Sequence, residues 1–256
     1  MSNRYAFVIQ ARSGSTRLHN KILLPFYNNK TILDLQLESI RKSFPDASII
    51  IATTVNKADD IIVDKYVNWD SVNVFRGDEN NVLKRFIDAA KAFGVENIVR
   101  ICSDNPFLSM SYCAVMIDEY FKTYPDYISY NFFNGTPAIR SHSGLFAEMV
   151  GLKALEKAIQ DTSEPLFMEH VTNYIYNHPG DFKLEFIQVP EFIDNYIDKL
   201  RLTIDTQVDF VSLQKLYLAV LKKYGSKFTV EQLMAEIESN IELVKSMSEQ
   251  IRQYAK

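Results

Sequence analysis

With 256 residues, 47% of them hydrophobic and 23% charged, the chain can bury one large α/β core and has the composition of a soluble globular protein. A net charge of −4 argues against a nucleic-acid backbone as partner, which calls for a basic excess, and leaves room for a local basic pocket. Cys102 and Cys113 match no paired zinc or redox spacing, no apolar run approaches the roughly 20 residues of a membrane helix, and Arg12 interrupts any early signal-peptide core, so a cytoplasmic protein without membrane contact is expected.

The first element is an apolar run, Tyr5 to Ile9, that reads as a short buried strand. It empties into Ala11-Arg12-Ser13-Gly14-Ser15-Thr16-Arg17, small residues framed by two arginines, with Lys21 close behind. Backbone N–H groups of such a loop can form an anion-binding concavity, and its cations neutralise phosphate oxygens. In open α/β sheets ligands sit beyond the carboxyl ends of the strands, where this loop falls. Neither the Walker-type phosphate loop nor the dinucleotide glycine fingerprint is present, and a surface turn with solvated arginines is the alternative.

Thr31 is placed to cap a helix that runs to Ser43 and stops at Phe44-Pro45. Ser48 to Ala52 is a β-branched run too short for a helix, hence a buried strand. A helix near Ala58 to Val67 leads to a strand at Val72 to Phe75. Gly77-Asp78-Glu79 then introduces a helix from about Asn80 to Phe93, and Asn97 to Ile101 is the next strand. This alternation predicts an α/β fold, Rossmann-like, with a mostly parallel sheet flanked by helices.

That strand ends in Cys102-Ser103-Asp104-Asn105-Pro106. A carboxylate there points into the same crevice as the opening loop, and Mg²⁺ needs one or two such carboxylates because water and phosphate complete its shell. The alternative is that Asp104 caps the helix beginning near Ser109. Tyr112 to Tyr124 reads as a helix and Asp126 to Tyr130 as a strand. Asn131 to Ala147 breaks the rhythm as a small inserted loop or arm, suited to a second substrate or an oligomer contact. In it Arg140 and His142 suit an acidic sugar or a phosphate, or are solvated loop residues.

Leu166 to Tyr176 reads as a helix. Its Glu169-His170-Val171-Thr172 is no zinc site, because adjacent Glu and His do not share a helix face. Phe182 to Val189 is the next strand. Leu200 to Ile204 reads as another, ending in Asp205, a second carboxylate at a strand terminus or else the N-cap of a helix over Val208 to Lys222. The tail from Thr229 to Ala255 reads as one or two amphipathic helices that close the domain.

Several of these blocks resemble one family. The opening stretch is similar to a signature of the form ARxGSxRLPxKxL through Ala11, Arg12, Gly14, Ser15, Arg17, Leu18, Lys21 and Leu23, with His19 where proline is usual. Ala52-Thr53-Thr54 with Asp59, the block Gly77 to Phe86, Arg100-x-x-x-Asp104-x-Pro106, Gly144 to Glu148, Glu169 to Thr172 and Leu200 to Asp209 extend the likeness in order. The chain resembles the cytidylyltransferase family of spore-coat polysaccharide biosynthesis proteins and CMP-Kdo synthetase homologues.

The resemblance implies a fold of the nucleotide-diphospho-sugar transferase type, as one domain over 1–256 with the 131–147 insertion and C-terminal helices over 226–256. It implies transfer of CMP from CTP to an acidic sugar or sugar phosphate, with release of pyrophosphate, for surface polysaccharide biosynthesis. Arg12, Lys21, Asp104 and Asp205 would be catalytic, and Mg²⁺ would sit on Asp104 and Asp205. Ala11, Arg12, Ser13, Gly14, Ser15, Arg17, Lys21, Gly77 and Asp78 would hold the nucleotide, and Arg140, Glu148 and His170 the acceptor. A homodimer through the insertion follows by the same analogy. Two other classes stay open. A nucleotide-sugar-dependent glycosyltransferase would be expected to carry a DxD motif, which is absent. A non-catalytic homologue would be expected to have lost Arg12, Lys21, Asp104 or Asp205, and all four are present.

Overall fold

The computed structural model describes residues 5–15 and 17–254; Thr16 of the opening loop and Ala255 of the tail lie outside the described residues. In chain order the elements are β1 (Tyr5–Gln10), α1 (Ile32–Ser43), β2 (Ser48–Thr54), α2 (Asp60–Tyr66), β3 (Val72–Gly77), α3 (Val82–Ala92), β4 (Asn97–Cys102) and α4 (Met110–Thr123). They continue as β5 (Tyr127–Asn131), β6 (Glu148–Gly151), α5 (Leu152–Asp161), α6 (Pro165–Glu169), α7 (Asn173–Asn177), β7 (Leu184–Gln188), α8 (Glu191–Asp194), α9 (Gln207–Tyr224), α10 (Val230–Glu238) and α11 (Ile241–Gln253).

Among the described residues these strands form one seven-stranded sheet in the order β3-β2-β1-β4-β6-β5-β7. β6 runs antiparallel to both neighbours, β4 and β5, and every other pairing is parallel. Alternation along β1 divides the core. Phe7 and Ile9 pack with α1, α4 and α9 on one face, while Ala6 and Val8 pack with α3 and α5 on the other. This is the mostly parallel α/β architecture expected from the sequence. The caps also fall where the residue types put them. Thr31 accepts from the amide of Asp34 while Asp34 accepts from that of Thr31, a reciprocal box that starts α1.

Three elements differ from the sequence reading. Leu200–Ile204 forms no strand and bends at Thr203; Leu202 donates to the carbonyl of His142 (2.8 Å) and Ile204 to that of Asp104 (3.0 Å). The helix expected over Leu166–Tyr176 is two short ones, α6 and α7. Between them Val171 is drawn into the core and the Thr172 hydroxyl donates to Glu148. β6, Glu148–Gly151, follows directly on the insertion in a stretch to which the sequence reading gave no element, and it lies inside the sheet between β4 and β5.

Gly144 is the one residue of the insertion whose backbone must be glycine for two reasons. Its φ is +61°, and a Cβ there would stand 2.8 Å from the carbonyl oxygen of Leu202, a backbone atom that cannot swing aside. Gly144→Ala should therefore destabilise the chain by about 1–3 kcal/mol and displace the segment that carries Asp205. Denaturant unfolding checks the first effect; a midpoint unchanged from wild type would show that the loop relaxes freely.

Candidate active site

The chain leaves β1 to build β2 and β3 on one side and returns as β4 on the other, so the crevice between β1 and β4 is the switch point of the parallel half of the sheet. The loops after β1 and β4 face each other there. Lys21 opens a single 3-10 turn, Lys21–Leu23, entered through Asn20 at φ 53°. Its Nζ lies 2.7 Å from Asp104 Oδ2, 2.8 Å from the carbonyl oxygen of Ile204 and 3.6 Å from Asp205 Oδ1. Burial works against the Lys21 ammonium, but the charge and hydrogen bond of Asp104 outweigh it and raise its pKa. Arg17 adds a second cation, with Nη2 2.9 Å from Asp205 Oδ1.

The two aspartates are not helix caps. Ser109 caps α4 by accepting from the amide of Tyr112, and Thr206 caps α9 in a reciprocal box with Asp209. Both aspartates are thus turned to the crevice, Asp104 from just beyond the end of β4 and Asp205 from the irregular segment before α9. Arg201, which the sequence reading did not single out, fixes the second of them. It is 1% exposed, and its Nη2 donates to Asp205 Oδ2 (3.1 Å) and to Asp209 Oδ2 (2.9 Å). Its Nε donates to Asp209 Oδ1 at 2.7 Å, and its Nη1 meets His142 Nδ1 at 2.7 Å. Burial alone would raise the Asp209 carboxyl; the bonds from Arg201 outweigh it and hold that pKa below the usual range. His142 is therefore a buried partner of Arg201, not a solvated loop residue.

The phosphate-type loop is anchored through Asp59. The Ser13 amide and hydroxyl each donate to Asp59 Oδ1 at 2.6 Å, and the Thr54 hydroxyl donates to its other oxygen. The Ala11 amide donates to the carbonyl of Ala52 (3.3 Å). The N–H groups of Ala11 and Ser13, expected to face a nucleotide, are thus engaged within the chain and shape the loop. Gly14 is exposed, and a Cβ on it would meet nothing within 4 Å, so open space lies beside the loop backbone. Arg12 lies half-exposed, with its Nη2 3.5 Å from Glu169 Oε1.

Gly77 ends β3 with its backbone against the stem of Arg85: a Cβ there would stand 2.8 Å from Arg85 Cγ. Asp78 accepts from the amides of Asn80 (2.8 Å) and Asn81 (2.9 Å), which lower its pKa, and so closes its own turn. The three expected acceptor residues are not alike. Arg140 and His170 are exposed, whereas Glu148 is 1% exposed in the middle of the sheet. Its carboxylate takes Arg100 Nη1 at 2.6 Å and the hydroxyls of Tyr127 and Thr172. The structure corrects that expectation: Glu148 is a buried ion-pair partner with no open face toward an acceptor.

Residues 6–247 match the family model described as Cytidylyltransferase. The chain belongs to the cytidylyltransferase family. Within it, the spore coat polysaccharide biosynthesis protein SpsF of Bacillus subtilis is 34% identical over 219 residues, covering 84% of this chain and 87% of SpsF. The structure of a cytidylyltransferase from Leptospira borgpetersenii superposes with a TM-score of 0.79 at 29% identity, covering 94% of this chain and 96% of that one. CMP:2-keto-3-deoxy-manno-octonic acid synthetase, solved in complex with CTP, shares the fold at a TM-score of 0.60 and 12% identity, over 84% of this chain and 99% of that one. In this cytidylyltransferase-family chain, no described helix is long and apolar enough to cross a membrane.

Proposed function

We propose that the chain transfers CMP from CTP to a sugar-type acceptor, an acidic sugar or a sugar phosphate, and releases pyrophosphate. The observation that carries this reading is the convergence of Lys21, Arg17, Asp104 and Asp205 at the crevice between β1 and β4. An acceptor oxygen forms a bond to the α-phosphorus while the bond to the pyrophosphate oxygen breaks. The electron pair leaves with pyrophosphate, and the acceptor's proton passes to solvent. Arg17 and Lys21 hold the triphosphate and stabilise the charge that builds on the departing group, with Arg12 at the rim of the same loop. The space beside Gly14 admits a phosphate to the loop backbone.

The donor set fits a divalent cation such as Mg²⁺. Two carboxylates and a carbonyl oxygen, all hard oxygen donors, already converge on the Lys21 ammonium. Among the described residues no cluster of three or more His, Cys, Asp or Glu is available, so phosphate and water would complete the shell, as Mg²⁺ prefers. Held by Asp104 and Asp205, the ion would neutralise phosphate charge and polarise the α-phosphate. A role in surface polysaccharide biosynthesis is supported by the similarity to SpsF, and a homodimer through residues 131–147, where Phe133 is exposed, belongs to the same reading.

Calorimetric titration with CTP, ATP, GTP and UTP, each with and without Mg²⁺, tests the nucleotide. CTP alone is expected to bind tightly, and only with the ion. Preference for another triphosphate would keep the chemistry and change the base; no triphosphate binding would return the glycosyltransferase or a silent binding module. Lys21→Ala should weaken CTP by about ten-fold or more and leave cytidine unaffected. Equal losses for both would remove Lys21 from the phosphates.

A further inference from the structure

The last helix brings the chain back to the crevice. Along α11, Leu243, Met247, Gln250 and Tyr254 recur at helical spacing and so share one face. Leu243 and Met247 are buried in the core cluster that also holds Phe210 and Leu213 of α9. Gln250 Oε1 stands 3.2 Å from the hydroxyl of Thr206, the residue after Asp205. Tyr254, half-buried just past the end of the helix, has its ring centroid 5.7 Å from Arg17 Cζ and 6.0 Å from Arg201 Cζ. A guanidinium within about 6 Å of a ring centroid is attracted by the ring quadrupole. Gln250 and Tyr254 both lie beyond residue 247, where the family match ends.

The two cations against this ring are the ones that hold the two oxygens of Asp205, Arg17 on Oδ1 at 2.9 Å and Arg201 on Oδ2 at 3.1 Å. They are not equally secured. Arg201 is buried and also holds Asp209 and His142. The Arg17 side chain is 49% exposed on a loop outside any helix or strand, and Asp205 is its one ion-pair partner among the described residues. An Asp205 that serves a divalent cation has less charge left for Arg17. The ring is then what keeps that guanidinium at the crevice. It attracts the cation without acting as a carboxylate acceptor, so the N–H donors stay available to phosphate oxygens.

We propose that Tyr254 is a positioning residue, whose ring holds the Arg17 guanidinium in place for the phosphates of the nucleotide. This role rests on the nucleotide-binding reading of the crevice. It makes the turn after α11 part of the site, although Tyr254 itself touches no reacting atom and acts through Arg17.

Calorimetric titration of the full chain with inorganic tripolyphosphate and Mg²⁺ tests the role without a base or an acceptor. Tyr254→Leu should bind the probe about two- to five-fold more weakly than wild type. Tyr254→Phe keeps a ring and should recover most of that loss. In an Arg17→Ala background, where Lys21 and Arg12 remain to hold the probe, Tyr254→Leu should cause no further loss. A ring that merely packs would weaken binding by the same factor in both backgrounds, and that result overturns the proposal. So does wild-type affinity in Tyr254→Leu, and so does a Phe variant no better than the Leu one. Leu243 and Met247 anchor α11 without Tyr254, so each variant folds, and an unfolding curve checks this. A wild-type chain that binds no tripolyphosphate overturns the reading of the crevice, and this role with it; a wild-type chain that binds while Tyr254→Leu binds equally overturns this role alone.

Discussion

Asp205→Asn is expected to lower CTP-dependent pyrophosphate release by about 100-fold or more, with the fold intact. Three cations bear on this one carboxylate: Arg17 at 2.9 Å, Arg201 at 3.1 Å and Lys21 at 3.6 Å. Asparagine keeps the shape and removes the charge, so Arg17 and Lys21 lose the partner that preorganises them, and a divalent ion loses one of its two carboxylates. The fold survives because Arg201 keeps both bonds to Asp209, and Asp209 still accepts from the amides at 205 and 206. Asp104→Asn should act alike, since its Oδ2 is the nearer anchor of Lys21. The check is the rate against Mg²⁺ concentration, together with an unfolding curve for each variant. A near-wild-type rate in either would remove that aspartate from the reaction, and a collapsed unfolding curve would make its role structural.

The parallel half of the sheet was legible because its signals are local. Thr31, Ser48 to Ala52 and Asn97 to Ile101 each fall where cap chemistry and β-branched runs put them. The loop after β1 and the carboxylate after β4 were legible as candidates for the same reason. What local pattern did not convey is pairing across long sequence separations. Leu200–Ile204 has the sequence alternation of a strand, apolar Leu200, Leu202 and Ile204 with polar Arg201 and Thr203 between them, but all five are buried. It finds carbonyls of His142 and Asp104 where a strand would find a ladder. Asp59 was noted as part of a family segment, but its bonds to Ser13 join residues 46 apart and leave no trace in spacing. Glu148 was assigned to the acceptor only through the resemblance of Gly144 to Glu148 to a family block; its partner Arg100 lies 48 residues earlier, and spacing does not convey that pair.

That buried pair gives the largest expected effect on stability. Glu148→Leu should cost about 3–5 kcal/mol, because it leaves the Arg100 guanidinium, 8% exposed, without its counter-ion in the middle of the sheet. It also strands the hydroxyls of Tyr127 and Thr172, which both donate to Glu148 Oε1. Removing both charges in Arg100→Met/Glu148→Leu should recover a large part of the loss, since desolvation of the two ions no longer has to be offset. Denaturant unfolding of the two singles and the double closes the cycle. The pair also bears on the site, because Arg100 Nη2 reaches Gln10 Oε1 at 3.4 Å, and Gln10 is the last residue before the loop that carries Arg12 to Lys21. A structural partner and an acceptor ligand therefore predict different outcomes for Glu148→Gln, which keeps one acceptor oxygen, turns the other into an NH2 donor and loses the charge. Loss of stability with an unchanged KM for the acceptor is expected; a raised KM at unchanged stability would return Glu148 to the acceptor site.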